Sequence, residues 1–411
     1  MEITCPYCFN KFDSKNVKLR CRGMKCPEEE DEVYKDFWVK KGLKDFKPEK
    51  KHVYDIRRSW WVKTDCRCDV CGAEDYDYVC PNCHNELPAE MIKNGAEIIS
   101  VIGGPQSGKT HYIVALIHEL LENGFEIGLR ATPLQLGKDS SLHTTTKYGN
   151  AIKKLNDDLS ILEKTATSNI SVPWIIRVDS RNPQVRGKQE PKKSIYLVFY
   201  DTAGEYFDTP QQMEENTRYL RESKAVIVVF DTLSIPKIKQ ILEDNGEDTS
   251  DSDAATPFEK TWHALQNYIN EGNEHLTDKP FAFVLSKFDV VLEHSDDLEF
   301  SPDAFVDDRN QYVDNSYLNG KRVFNVNQVE KADKVIRQVL EDRNIWDMAK
   351  YPTFVESTWG DNARFFGISA IGSMAKDGSI PEGGIKPYRV MDPLLWIMSK
   401  IGGFAFKTVN E

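Results

Sequence analysis

The sequence has no cysteine after Cys83, no long apolar stretch and no excess of positive charge. Its formal net charge of −12 argues against nucleic-acid binding by the whole chain, because affinity for phosphate backbones comes mostly from cationic side chains. No run approaches the ~18 apolar residues that a membrane-spanning helix needs. The first residues lack the basic start and apolar core of a signal peptide, so we expect a cytoplasmic protein.

What is present is the composition of a soluble globular protein, with 40% apolar and 29% charged residues. A chain of 411 residues is expected to form two or three domains. We place a boundary between residues 1–94, which hold all the cysteines, and residues 95–411, where strand and helix patterns alternate. That alternation predicts an α/β fold, with a mostly parallel sheet covered by helices on both faces. Polar stretches near 243–255 and 294–321 are predicted to be inserts in this second part.

The nine cysteines are spaced as in metal sites rather than in disulfide frameworks. Three cysteine pairs form Cys-x-x-Cys turns, each of which presents two thiolates, and Cys21 with Cys26 is a wider fourth pair. Two pairs supply the four ligands of tetrahedral zinc. Four thiolates leave no open coordination position, so we expect two structural zinc sites, although rubredoxin-like iron fits the same spacing. An alternative grouping pairs Cys5 and Cys8 with one of the distant pairs, and Cys66 is left over in either case. The two predicted sites are Cys5, Cys8, Cys21 and Cys26, and Cys68, Cys71, Cys80 and Cys83.

Between the cysteine clusters lies a basic and aromatic stretch, Lys35–Arg67. Such a stretch either binds nucleic acid through charge and stacking, or packs its aromatic rings internally and leaves its lysines in solvent. Residues 1–94 carry 18 basic and 18 acidic side chains, so the region has no net charge to attract a polyanion. We therefore favour packing or protein docking, and do not expect a nucleic-acid partner.

A phosphate-binding loop pattern follows the predicted strand Glu97–Ile102 and precedes a predicted amphipathic helix, Thr110–Glu122. Glycines in such a loop let backbone N–H groups approach phosphate oxygens, and the start of the helix adds its positive dipole. Lys109 would bridge the β- and γ-phosphates, and the Thr110 hydroxyl would bind magnesium. The predicted loop and the residue after it are Gly103, Gly104, Pro105, Gln106, Ser107, Gly108, Lys109, Thr110 and His111.

A second element is Asp201, at the end of the predicted strand Ile195–Tyr200. An aspartate in this position of a phosphate-loop protein can hold the magnesium through water. Gly204 would donate its backbone N–H to the γ-phosphate, in a loop that senses whether that phosphate is present.

Base recognition is predicted for two further strand ends. Asp289 can accept hydrogen bonds from both N1–H and the 2-amino group of guanine, a donor pair that adenine lacks. Ser286 and Lys287 belong to the same segment, with the Lys287 stem along the base. Ser369 and Ala370 stand at the end of the last predicted strand, Phe365–Ser369, where the Ala370 N–H would meet the guanine O6.

Together these motifs resemble those of TRAFAC-class P-loop GTPases, which include Ras-like and translation-factor-related proteins. The cysteine-rich front followed by such a domain is similar to the zinc-ribbon-bearing GTPases of bacterial double-GTPase type. The resemblance covers roughly residues 96–411 and implies a mostly parallel GTPase sheet, GTP or GDP with Mg²⁺, and a protein partner. Ser286 departs from the usual Asn or Thr of its motif but keeps a hydroxyl. Glu205 stands where Ras-like proteins have a glutamine that orients the attacking water.

The resemblance implies a catalytic set of Lys109, Thr167, Gly204 and Glu205. Thr167 and Thr165 precede the predicted strand Trp174–Val178, where a switch threonine belongs, and Thr144–Thr146 are the alternative. The charge of Glu205 would repel the γ-phosphate. Two functions therefore stay open: a GTP-hydrolysing switch that signals to a protein, and a GTP- or GDP-sensing module with little hydrolysis.

Overall fold

A computed structural model gives the fold for most of the chain. The described residues are 1–43, 46–57, 65–104, 106–125, 127–136, 143–162, 172–180, 194–201, 219–246, 262–263, 265–267, 269, 276–298, 304–305, 323–324, 326–342, 348–373, 378–401 and 407–408. Within these ranges, no helix combines the length and apolar character that crossing a bilayer requires.

The described part of the cysteine-rich region contains two small antiparallel sheets and two α-helices. A two-stranded sheet pairs β1 with β2, and a four-stranded sheet has the order β4-β3-β5-β6. Its elements are β1 (Glu2–Thr4), β2 (Lys11–Asp13), β3 (Lys18–Cys21), α1 (Glu32–Lys40), β4 (Val53–Asp55), β5 (Tyr76–Val79), β6 (Glu86–Leu87) and α2 (Ala89–Asn94).

The rest of the described chain alternates between strands and helices around one large sheet. Its elements are β7 (Glu97–Gly103), α3 (Lys109–Glu122), β8 (Leu129–Pro133), α4 (Thr144–Asn156), β9 (Trp174–Ser180), β10 (Ser194–Asp201), β11 (Ala225–Asp231), α5 (Pro236–Asp244), β12 (Phe281–Ser286), α6 (Asp289–Glu293), β13 (Val323–Phe324), α7 (Val326–Glu341), α8 (Lys350–Trp359), β14 (Ala363–Gly367), α9 (Asp392–Ile401) and β15 (Lys407–Thr408).

The large sheet has seven strands in the order β14-β12-β11-β7-β10-β9-β8. Strands β14, β12, β11, β7 and β10 are parallel, whereas β9 runs antiparallel to both of its neighbours. The chain leaves β7 for strands on one side and later returns to strands on the other. Doubly wound sheets bind ligands at such a reversal, beyond the carboxyl ends of the strands. The loop after β7 therefore lies where this fold provides a ligand crevice.

The predicted mixed α/β architecture with a mostly parallel sheet is confirmed for the described residues. The predicted strands Trp174–Val178 and Ile195–Tyr200 are present as β9 and β10, which pair in antiparallel orientation. Two details were wrong or missed. The last strand covers Ala363–Gly367 rather than Phe365–Ser369, and the edge strand β8 was not predicted, because its sequence includes Arg130 and Pro133.

Buried side chains form one cluster on each face of the sheet. Along β7, Ile98 and Ile102 belong to one cluster and Ile99 and Val101 to the other, as expected from the alternation of side chains in a strand. The cluster that contains Ile98 continues into the cysteine-rich region. The two parts of the chain therefore share a core, and the boundary proposed between residues 94 and 95 remains a prediction.

Polar contacts support the same packing. The Lys11 ammonium lies 2.9 Å from a Glu222 carboxylate oxygen, and the Tyr196 hydroxyl donates to Glu90 at 3.2 Å. The basic and aromatic stretch contributes to this shared core, because Trp38 and Phe46 are buried in it. Its Trp60 and Trp61 lie outside the described residues.

Candidate nucleotide and metal sites

Eight of the nine cysteines form two groups whose sulfur atoms lie close enough to share a metal ion. The antiparallel register of β3 with β5 sets these groups: Cys21 lies opposite Tyr76, and Lys18 opposite Val79. The segment before β5 therefore meets the end of β3, and the segment after β5 meets the chain before β3. Grouping the cysteines by nearness in sequence was wrong, and the alternative that pairs Cys5 and Cys8 with a distant pair is found. The groups are Cys5, Cys8, Cys80 and Cys83, and Cys21, Cys26, Cys68 and Cys71.

The sulfur separations suit a tetrahedral metal. Zinc with Zn–S bonds of ~2.3 Å requires sulfur atoms ~3.8 Å apart. The observed Sγ–Sγ distances are 3.7 Å for Cys5–Cys83, 3.8 Å for Cys8–Cys80, 3.6 Å for Cys21–Cys71 and 3.8 Å for Cys26–Cys68. All eight cysteines are free of disulfides. The residues present therefore fit two structural metal ions, for which zinc is the plausible choice.

The chemistry around the sulfurs also favours thiolates bound to a cation. Burial raises the pKa of the Cys5 and Cys26 thiols, so ionised sulfur in either group needs a compensating positive charge. Several N–H groups point at the sulfur atoms, as in the outer shell of metal–thiolate sites. The donors are Tyr7 N to Cys5 at 3.4 Å, Gly23 N to Cys21 at 3.3 Å, Asn82 N to Cys80 at 3.4 Å and Asn85 Nδ2 to Cys83 at 3.3 Å.

The loop between β7 and α3 contains two residues with left-handed backbone conformation. Gln106 and Gly108 have φ angles of 62° and 81°, in the left-handed region. Such residues turn successive N–H groups toward one side, which creates a concave anion site. Gly103 cannot carry a side chain, because a Cβ there would lie 2.3 Å from the Val229 carbonyl oxygen. Close backbone approach therefore requires glycine at position 103, and the positive φ favours glycine at position 108. Pro105 lies outside the described residues.

Lys109 is the charged group of this loop. Its side chain is buried, and its Nζ donates to the carbonyl oxygens of Gly103 and Gly104, at 2.9 Å each. These bonds hold the ammonium over the loop. The neighbouring Ser107 hydroxyl is buried and has no hydrogen-bond partner among the described residues. A buried hydroxyl needs a hydrogen-bond partner, which at Ser107 can be a water molecule or a polar atom of a ligand.

Ser286 joins the phosphate loop to the predicted base-recognition segment. Its hydroxyl lies 2.9 Å from the carbonyl oxygens of both Ser107 and Phe230, which share its single proton. A side chain at Gly108 would approach the same hydroxyl, with the Cβ 3.7 Å from it. Ser286 stands where the motif that the sequence resembles has Asn or Thr. Its hydroxyl therefore still connects the loop after β7 with the segment after β12.

The two predicted base-recognition segments lie side by side. Ile368 N donates to Leu285 O, and Phe288 N donates to Ile368 O, both at 2.9 Å. Asp289 is mostly buried, and burial raises the pKa of its carboxyl group. A hydrogen bond with Ser369 and the nearby Lys287 charge oppose that rise in pKa. The arrangement is a recessed carboxylate that can accept hydrogen bonds from a polar ligand.

Lys287 and His111 are two ionisable side chains near the loop after β7 and the predicted base-recognition segment. The Lys287 Nζ lies 2.8 Å from Asp231 Oδ2. Burial, together with the Lys287 charge, lowers the pKa of His111 to about 4. His111 is therefore neutral at pH 7, and its Nε2 accepts a hydrogen bond from Leu162 N at 3.1 Å. Asp231 was missed in the sequence, although it stands at the end of an apolar strand as Asp201 does.

The remaining predicted residues divide into two sets. Asp201 ends β10 beside β7, with its backbone opposite Val101, and its side chain is not described. Thr110 is the second residue of α3. Ala370 packs against the buried cluster on the face of the sheet that α3 covers. The predicted residues that lie outside the described part of the chain are Pro105, Thr165, Thr167, Gly204 and Glu205.

The alternative switch threonines have structural partners. Thr144 is buried, and its hydroxyl accepts a hydrogen bond from Ile175 N at 2.8 Å. The Thr145 hydroxyl donates to the Pro133 carbonyl at 3.1 Å. Neither hydroxyl caps α4, since His143 precedes that helix. Both instead fasten the start of α4 to the sheet.

Comparison with profiles of known protein families finds no match. The chain is 23% identical over 336 residues to a putative ESX-1 scaffolding and assembly protein, SaeC, of Mycolicibacterium smegmatis. That match covers 79% of this chain and 80% of SaeC.

Two solved structures align with 67% of the chain at a TM-score of 0.23 each. One is the Methanosarcina barkeri Roco2 RocCORdC bound to GDP, at 12% identity, and the other is a protein of Thermus thermophilus, at 13% identity. The alignments cover 43% and 37% of those chains, less than half of either.

Proposed function

We propose that this chain binds GTP and GDP with Mg²⁺ and acts as a GTP-hydrolysing switch that signals to a protein partner. The observation that carries the proposal is one continuous arrangement. The buried Lys109 in a glycine-rich loop is tied through Ser286 to a recessed carboxylate, Asp289. Phosphate recognition and guanine recognition require these two groups on adjoining segments.

Each residue then has a defined part. Lys109 and the loop N–H groups would hold the phosphates, and Asp289 would accept hydrogen bonds from the guanine N1–H and 2-amino groups. Thr110 and Asp201 would hold the magnesium, which neutralises charge on the phosphate oxygens. Gly204 and Thr167 are proposed to contact the γ-phosphate, and Glu205 the attacking water.

The partner is proposed to be a protein. The similarity to a putative scaffolding and assembly protein over most of both chains supports a role in protein assembly. The cysteine-rich region, which contacts the segment before β11 through Lys11 and Glu222, is our candidate for the surface that such a partner contacts.

Nucleotide binding is the first test. In calorimetry with Mg²⁺, we expect GTP and GDP to bind and ATP to bind far more weakly. Lys109→Ala should weaken GDP binding about 10- to 100-fold, because a hydrogen bond to a charged group contributes ~1.5–3 kcal/mol. Replacement of the exposed Lys93 by Ala is the matched control and should change nothing. Binding of ATP as tight as that of GTP would contradict the guanine assignment.

A second candidate is a GTP- or GDP-sensing module with little turnover, and Glu205 favours it. We expect slow single-turnover hydrolysis by the natural chain. Glu205→Gln should raise the rate about tenfold or more, because it removes a negative charge beside the γ-phosphate and keeps a group that can orient water. Single-turnover release of phosphate measures this, with Glu205→Ala as the control that lacks both groups. Equal rates in all three chains would favour the sensing module.

A further inference from the structure

We propose that Arg389 is a positioning residue for guanine specificity, because it holds both base-recognition segments from behind. This inference rests on the proposed GTP site. It concerns a residue that lies outside the phosphate-loop and base-recognition motifs in the sequence. Two separate connections lead from Arg389, one to Ser369 and one to Asp289.

Arg389 is the centre of a buried ion pair. Arg389 and Asp392 are 2% and 0% exposed. The guanidinium makes two contacts with one carboxylate oxygen of Asp392, at 2.8 Å from Nε and 2.7 Å from Nη2. Its Nη1 also donates to the Ala304 carbonyl at 3.2 Å. Well-packed apolar residues often replace a buried ion pair without loss of stability, so such a pair is weak support for a purely stabilising role. Geometry is what a guanidinium with several fixed donors adds.

The first connection runs through Tyr388 to Ser369. Tyr388 N donates to Ser369 O at 2.7 Å, and Ser369 N donates to Tyr388 O at 3.0 Å. The Ser369 hydroxyl accepts from Gly372 N at 2.7 Å, and its proximity to Asp289 lowers the pKa of that carboxyl group. The position of the Ser369–Ala370 segment therefore depends on the backbone next to Arg389.

Gly372 shows how close this contact is. Its φ is +91°, and a Cβ there would lie 2.0 Å from the Lys386 carbonyl oxygen. Lys386 N in turn donates to Ile371 O at 2.7 Å. Residues 371–373 are thus in close contact with the segment that leads into Arg389.

The second connection runs through two aromatic rings to Asp289. The Arg389 guanidinium lies over the Phe305 ring, 5.2 Å from its centroid, and the Tyr388 hydroxyl donates to Phe305 O at 2.9 Å. The Phe305 ring packs on Phe288, with centroids 5.0 Å apart. Phe288 lies between Lys287 and Asp289, and it covers Gly367 so closely that a Cβ there would be 2.5 Å from the ring. A shift of Phe305 would therefore be transmitted to Asp289.

One cation thus sets the spacing between the carboxylate proposed to read the guanine 2-amino group and the N–H proposed to read O6. Loss of Arg389 should impair base discrimination more than phosphate binding. Inosine nucleotides test this, because hypoxanthine lacks the 2-amino group and otherwise presents the same edge as guanine. A displaced Asp289 would lose its preference for GDP over IDP.

The experiment compares the GDP/IDP affinity ratio in four chains. We expect a clear GDP preference in the natural chain, about a tenfold lower ratio in Arg389→Met, and partial recovery in Arg389→Lys. Arg364→Met is the matched control, because Arg364 is also buried and paired, with Glu330 at 3.0 Å, at the opposite end of β14. It should leave the ratio unchanged. Thermal unfolding of each chain separates specificity from stability.

The experiment distinguishes failure of the positioning role from failure of the proposed GTP site. An unchanged GDP/IDP ratio in folded Arg389→Met would overturn the positioning role and leave the GTP site standing. Equal affinity of the natural chain for GDP and ADP would instead overturn the proposed function. If Arg389→Met does not fold, Tyr388→Phe decides, because it removes just the hydroxyl that donates to Phe305 O. A ratio equal to that of the natural chain in Tyr388→Phe would then reject the proposal.

Discussion

Asp289→Asn is expected to convert the chain from a guanine binder into a xanthine binder. The ionised Asp289 offers two acceptors, which match the N1–H and 2-amino donors of guanine. Asparagine offers one acceptor and one donor pair, which match N1–H and the 2-carbonyl of xanthine. Because the Asp289 side chain is mostly buried, an unmatched polar group there is costly, and we expect GDP affinity to fall about 100-fold or more while XDP affinity rises.

Calorimetry with GDP, XDP and IDP measures this exchange. Asp289→Ala is the matched control, because it removes both acceptors and adds no donor, so it should lose GDP binding without gaining XDP binding. Retention of tight GDP binding by Asp289→Asn would mean that Asp289 does not read the base, whatever Lys109 does with the phosphates.

Removal of the metals is expected to have the second large effect, and it should be unequal for the two cysteine groups. Cys8 and Cys80 are separated by 72 positions, and this interval contains Cys26 and Cys68, separated by 42. The second group is therefore nested inside the loop that the first group closes. We expect Cys80→Ser to expose backbone amides throughout residues 1–94, and Cys68→Ser to expose the inner segment alone. Amide hydrogen exchange measures the difference.

The loss of folding free energy in these variants can be estimated from the coupling of metal binding to folding. Structural zinc contributes an apparent ~10–16 kcal/mol in zinc-finger peptides, so loss of one site should cost several kcal/mol here. Cys66→Ser is the matched control, because Cys66 belongs to neither group. It should retain two zinc ions per chain by elemental analysis. Two zinc ions in Cys80→Ser, with unchanged exchange, would contradict the assignment of the outer group.

Local patterns predicted the parts of the molecule that depend on consecutive residues. The strand before Gly103, the helix after Gly108 and the strands leading to Asp201 and Ser286 all follow from hydrophobic periodicity and loop chemistry. The cysteine grouping failed for the opposite reason. It is set by the register of β3 with β5, which brings distant segments together and leaves no periodic trace in the sequence.

In the candidate site too, the features set by consecutive residues could be predicted and those set by tertiary contacts could not. Lys109 and Asp289 lie in recognisable motifs, and the contacts of Ser286 and Ser369 now connect them. Arg389 could not be found this way, because it acts through residues 304–305, more than 80 positions earlier in the chain. The role proposed for Arg389 depends on tertiary contacts. The local sequence around Tyr388 does not distinguish this arginine from one exposed on the surface.

The nested cysteine groups also bear on how the chain is made. All eight ligands have been synthesised once residue 83 is complete, before Gly103 and everything that follows. The Phe9 ring of the cysteine-rich region contacts Tyr219, with centroids 6.1 Å apart, and Tyr219 emerges on the order of ten seconds later at ~5–20 residues per second. We expect the cysteine-rich region to fold around its metals while the chain is still on the ribosome. Its apolar surface around Phe9 would then stay exposed to solvent until Tyr219 has been synthesised. Zinc supply during translation, rather than after release, would then decide how much of the chain matures.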